Sequence, residues 1–129
     1  MNIRAYIIWT HSKEWRAIKL LVLILKKVQR MDDIIKQLAE AGVKGGTILD
    51  GTGMAKSLVN MEELPIFDML KALLADEEKE ACKVMLFVLK QDQVQDAKTA
   101  IKEVIGDLTA PNTGIMFTVP IDDIEGLRG

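Results

Sequence analysis

Two segments of this chain are apolar on both sides of a β-strand, and that limits what the chain can become. Successive side chains of a strand point to opposite faces. From Lys19 to Lys27, one face carries Leu20, Val22 and Ile24 and the other Leu21, Leu23 and Leu25. From Lys83 to Leu89, one face carries Val84, Leu86 and Val88 and the other Met85, Phe87 and Leu89. A sheet built on these strands needs cover on both sides. Leaving such side chains in water costs about 1.5–3 kcal/mol each relative to burial.

The remaining elements follow from periodicity. Met31, Ile34, Ile35, Leu38 and Ala41 form an i, i+3, i+4, i+7 stripe, so a helix is expected from about Met31 to Ala41. Asp32 and Asp33 suit its positive end, and Gly42 suits its termination. Thr47, Ile48 and Leu49 read as a short strand. Residues 51–80 then form a long insertion, with a short helix expected from Pro65 to about Ala75 and a charged run at Asp76–Glu80. After the second doubly apolar strand, Asp92 and Gln95 have the spacing of a capping box. The helix they open should bury Val94, Ala97, Ile101, Val104 and Ile105 and stop at Gly106. A loop over residues 107–114 leads to a last strand, Ile115 to Val119, closed by Pro120.

The order is therefore β-α-β, insertion, β-α-β. This is the α+β, ferredoxin-like plan: a four-stranded antiparallel sheet with two helices on one face. Such a sheet usually keeps a polar second face in water. Here that face is apolar, so either the inserted helix or another subunit must cover it, and a homo-oligomer is expected.

Composition removes several functions. The 129 residues suit one domain, read as 18–129, preceded by an N-terminal extension, 1–17, that holds Trp9, Trp15 and His11. The net charge of −2 gives no overall basic field for nucleic acid. Cys82 and His11 are the sole residues of their types, so a disulfide, a thiolate metal cluster or a histidine-based catalytic triad within one subunit is not expected. The longest apolar run, Leu20 to Leu25, is far below the ~20 residues of a membrane span, and a cytoplasmic protein is expected. Scattered carboxylates are the main acid–base groups left, and the chain is read as a non-enzyme.

Two loops and the C-terminus carry the candidate binding residues. Gly51, Thr52 and Gly53, followed by Lys56, would let backbone N–H groups approach an anion with a cation nearby. The spacing is not that of a P-loop, and the same residues also read as a plain strand-ending turn. Asn112, Thr113 and Gly114 would offer donors to an anion, or form an ordinary helix-to-strand loop. Arg128 is a further cation near the end, or a solvated tail residue. Lys26, Lys27 and Arg30 read as charges that keep a strand end in water.

Taken in order, these segments resemble the nitrogen regulatory P-II-like proteins. The run Leu20–Lys27 followed by Met31-Asp32-Asp33 resembles that family's opening strand and helix. Ala39 to Thr47 resembles its helix-to-strand junction, and Gly51-Thr52-Gly53 stands at the base of its long T-loop. Gly106 to Gly114 stands at its B-loop, and Phe117-Thr118-Val119-Pro120 resembles the close of its last strand. The resemblance implies a homotrimer with sheets facing inward and a small effector, ATP, ADP or AMP, in the clefts between subunits. It also implies a T-loop, residues 51–80 here, that docks on a transporter or metabolic enzyme in nitrogen or carbon metabolism.

The departures are specific. Met54 and Ala55 stand where typical members have Arg and Gln. Thr109 to Ile115 contains none of the basic residues that hold phosphates in the family's B-loop. Tyr6 is the only tyrosine, so the T-loop tyrosine that some members have uridylylated is missing. A nucleotide-independent trimeric adaptor is accordingly the second reading.

Overall fold

The computed structural model describes residues 17–54 and 81–127. The expected extension before residue 17, the helix from Pro65 to Ala75, and the side chains of Lys56 and Arg128 lie outside the described residues.

Four strands and two principal helices follow the expected order. Strand β1 spans Ile18–Leu25, α1 Met31–Glu40, β2 Thr47–Thr52, β3 Ala81–Lys90, α2 Gln91–Ile105 and β4 Gly114–Pro120. A single 3-10 turn, Val28–Arg30, leads from β1 into α1. The sheet order is β2-β3-β1-β4, with all three pairings antiparallel. Each half places a foreign strand between its own two, which is the split βαβ arrangement of the ferredoxin-like fold. The two doubly apolar strands are the two central ones, and each is paired along both of its edges.

One face is a closed core. Leu21, Leu23, Leu25 and Met85 are fully buried and Phe87 and Leu89 nearly so, against Ile34 and Leu38 of α1 and Val94, Ala97 and Ile101 of α2. The α1 stripe is thus used, except that Ile35 stays 39% exposed at its margin. Among the described residues no element packs on the opposite face. Leu20, Val22, Ile24, Val84, Leu86 and Val88 lie there with Ile115, Phe117 and Val119 of β4, by register. Val22 is shielded by its cross-strand partners Leu86 and Phe117, whereas Val88, Ile115, Phe117 and Val119 remain exposed.

Several local expectations shift. β2 runs three residues past Leu49, because Asp50, Gly51 and Thr52 pair with Lys83, Cys82 and Ala81. The cap of α2 lies two residues earlier than Asp92. Lys90, in extended geometry, precedes the helix, and its N–H donates to Gln93 Oε1 at 3.1 Å. Asp92 sits in the first turn instead, where its charge complements the positive helix end. Arg30 is not merely a solvated charge. Its guanidinium donates to the Val104 carbonyl at 3.3 Å and pairs with Asp33 at 3.0 Å, joining the 3-10 turn to the last turn of α2. Pro120 belongs to β4 as its last residue, on an edge strand where a missing N–H is tolerated.

Candidate functional site

The first candidate loop begins inside the sheet. Gly51 is a strand residue opposite Cys82, and a Cβ at position 51 would stand 2.6 Å from the Cys82 sulfur. The glycine therefore has a packing reason independent of any ligand. Lys83 forms an ion pair with Asp50 one row further in. Thr52 ends β2 opposite Ala81, and Gly53 follows it. Since β2 and β3 are paired neighbours, the chain that leaves at Thr52 returns beside it at Ala81. The T-loop-like segment thus starts and finishes at one point on the sheet end.

The second candidate is the turn before β4. The Asp107 carboxylate accepts the Thr109 N–H at 2.9 Å. That bond, a second one from the Thr109 side chain and the charge of Lys102 hold its pKa below the ordinary value of 3.8, against a small opposing desolvation. Asn112 is exposed and takes a left-handed φ of 60°, which this residue type tolerates better than most. Thr113 is only 1% exposed. Its carbonyl accepts the Lys26 N–H at 3.1 Å, and its hydroxyl is buried without a partner. Asn112 is therefore placed to meet a ligand from solvent, while the Thr113 hydroxyl is not. Gly114 opens β4 opposite Leu25. Lys26, exposed, lies beside this turn through its bond to Thr113, a neighbour that the sequence reading did not assign to the loop.

The two loops share one end of the sheet but not one edge. The row Asp50–Lys83–Leu25–Gly114 crosses all four strands. Three strand spacings separate its ends, about 14 Å. Within one chain, Gly51–Gly53 and Asn112–Gly114 therefore do not converge on a single small ligand. Among the described residues no group of three or more His, Cys, Asp or Glu side chains is placed to hold a metal ion.

At the opposite end of β2 and β3 the surface is concave. A cavity of about 490 Å³ is bounded by the α1–β2 connection, Gly42 to Thr47, and by the end of β3 with the start of α2. Leu86, Val88 and Leu127 give it an apolar floor, and Lys44, Lys90 and Gln93 border it. Gly46 shapes this wall, because a Cβ there would lie 2.5 Å from the Phe87 ring. The sequence carried no local sign of this cavity, since Lys44 and Lys90 come to border it only through the β2–β3 pairing.

Comparisons with known proteins agree with this architecture. No curated protein sequence matches the chain. Among solved structures, PII of Arabidopsis thaliana bound to citrate is similar, at 20% identity and a TM-score of 0.54, over 81% of this chain and 78% of that one. The GlnK–ATP complex of B. subtilis is similar at 13% identity and a TM-score of 0.52, over 81% of this chain and 82% of that one. At such identities the likeness establishes the fold alone. The family model described as nitrogen regulatory protein P-II matches residues 18–129, nearly the whole chain, and the chain accordingly belongs to the nitrogen regulatory protein P-II family.

Proposed function

We propose that the protein is a homotrimeric, cytoplasmic P-II-type signalling protein rather than an enzyme. In this reading residues 18–129 form the working domain, a small effector binds in the clefts between subunits, and residues 51–80 dock on a partner transporter or metabolic enzyme. The observation that carries the reading is the sheet face on which, among the described residues, no helix packs. Val88, Ile115, Phe117 and Val119 are each 40% exposed or more in one chain, on a face that continues through Leu20, Val22, Ile24, Val84 and Leu86. Sheet-to-sheet packing of copies would remove it from water. Packing of this kind would also let Gly51–Gly53 of one subunit and Asn112–Gly114 of another approach, which one chain does not achieve. The single anchoring point of the 53–80 segment, Thr52 beside Ala81, supports its use as a projecting loop.

The two similar structures hold ATP and citrate, and an adenine nucleotide is the effector we assign first. Gly51, Thr52, Gly53, Lys56, Asn112, Gly114 and Arg128 are the residues proposed to meet it, with Thr113 contributing its backbone. The deciding experiment has two parts. Sedimentation at micromolar concentration should give three times the mass of one chain, and a single-chain mass would overturn the assembly. Calorimetric titration with ATP, ADP, AMP and cyclic AMP should show saturable binding to at least one of them. No heat with any nucleotide would leave the fold and favour the nucleotide-independent adaptor, which the lack of basic residues over Asp107–Gly114 also suits.

A further inference from the structure

We infer that the segment preceding β1, residues 1–16, docks along the groove between α1 and α2, where its Lys13 and Arg16 meet the carboxylates of Glu40, Asp96 and Glu103. The family match begins at residue 18, so this contact would belong to this chain rather than to the shared domain. It uses the outer surface of the helices, away from both candidate loops, and does not rest on the effector reading.

Three observations carry it. The groove is a concavity of about 300 Å³, lined by Glu40 and Ala41 of the α1 end and by Asp96, Thr99, Ala100 and Glu103 of α2. Among the described residues that line it there is no Lys or Arg. Carboxylates from both helices without a cation favour a cationic occupant and disfavour an anionic one. The segment before β1 is such an occupant, since Arg4, Lys13 and Arg16 stand against Glu14 alone. Its point of departure fits as well. The Ala17 carbonyl accepts the Gln91 N–H at 2.6 Å, so the segment leaves the sheet at the first residue of α2.

Length agrees with this placement. From Gln91, Asp96 lies about 7.5 Å and Glu103 about 18 Å along the helix axis. Residues 10–16, in extended form, reach about 23 Å. Arg16 thus starts near Asp96, and Lys13 comes within side-chain reach of Glu103. Trp15 stands between the two cations in sequence, and the small side chains of Ala41, Thr99 and Ala100 leave room for its ring. The opposite face of the sheet gives no such match. Val88, Ile115, Phe117 and Val119 carry no charge there, and copies of the chain occupy it in the assembly proposed above.

Trp9 and Trp15 are the chain's only tryptophans, so tryptophan fluorescence of the full-length protein reports on this segment alone. Emission should be blue-shifted and acrylamide quenching restricted. Glu40→Gln, Asp96→Asn and Glu103→Gln combined should lower the ratio of docked to free segment about five- to tenfold without changing the assembled mass, and raised salt should act in the same direction. Charge exchange gives the specific readout: Lys13→Glu with Arg16→Glu should free the segment, and adding Glu40→Lys with Asp96→Lys should restore the shielding. Carbodiimide coupling followed by mass spectrometry should join Lys13 to Asp96 or Glu103. Emission of a fully solvated indole in the native protein, shielding untouched by the triple substitution and by salt, no recovery on charge exchange, or Lys13 coupled only to carboxylates elsewhere would each overturn the inference. Shielding lost with Ile115→Lys and Phe117→Lys but kept in the triple variant would overturn it by placing the segment on the sheet face.

Discussion

Gly114 lies directly against the backbone of Ile24: a Cβ at position 114 would overlap the Ile24 carbonyl oxygen, and the residue also holds a φ of 147°. Close approach and backbone geometry therefore both demand glycine where β4 leaves the candidate turn. Gly42 has a positive φ of 92° as well, but nothing stands within 4 Å of its missing Cβ. Gly114→Ala should cost roughly 2–4 kcal/mol, from strain plus displaced backbone, and Gly42→Ala about 1 kcal/mol from strain alone. Urea unfolding of the two variants checks this ordering, and equal losses would contradict it.

Asp107 gives the turn an acid sensitivity of definite sign. Its folded pKa lies below the ordinary 3.8 because the carboxylate accepts from Thr109, with Lys102 assisting. The stabilisation is therefore complete above the unfolded value and is lost as pH falls through the folded one. Asp107→Ala should lower stability at neutral pH. The difference from the native chain should shrink below about pH 4. A difference that grows on acidification would show the opposite linkage.

Arg30 ties α1 to α2 through one guanidinium that meets both the Val104 carbonyl and Asp33. Its side chain is partly exposed, so the expected effect is modest. Arg30→Ala should cost about 0.5–1.5 kcal/mol. Arg30→Lys should recover less than half, since a single ammonium does not reproduce a planar fork with two partners. Thermal unfolding at low and high salt checks it, with the Asp33 share weakening as salt rises.

How legible these features were depends on whether their causes are local. The doubly apolar β1 and β3 could be read because a missing alternation is visible residue by residue, and the α1 stripe and Gly42 stop are equally local. The extension of β2 through Asp50 and Gly51 was not, since both residue types are depleted in strands and only the pairing with Lys83 and Cys82 holds them there. The cap of α2 was displaced for a related reason. Asp92-x-x-Gln95 has the favoured composition, but β3 runs through Lys90 with no loop before the helix, and Gln93 takes the capping role. The α1–β2 cavity joins Lys44 to Lys90 across the sheet, and the bond from Lys26 to Thr113 joins two distant turns. Both are products of register, which no local pattern states.

The two faces of the sheet should respond to mutation in different ways. Leu23 is fully buried between β1's neighbours and the helices, so Leu23→Ala should cost about 2–5 kcal/mol by removing core volume. Ile115 and Phe117 are 58% and 43% exposed in a single chain. A lysine at either position meets water there and should alter the stability of an isolated chain by about 0.5–1 kcal/mol at most. In a sheet-to-sheet assembly the same lysine would be desolvated without a partner, at several kcal/mol per copy. Ile115→Lys combined with Phe117→Lys should therefore leave a folded chain of 14.4 kDa in place of the assembly. Light scattering across a hundredfold dilution, alongside circular dichroism, reads mass and fold separately. A doubly substituted protein that keeps the native mass would show that this apolar face meets something other than its own copies.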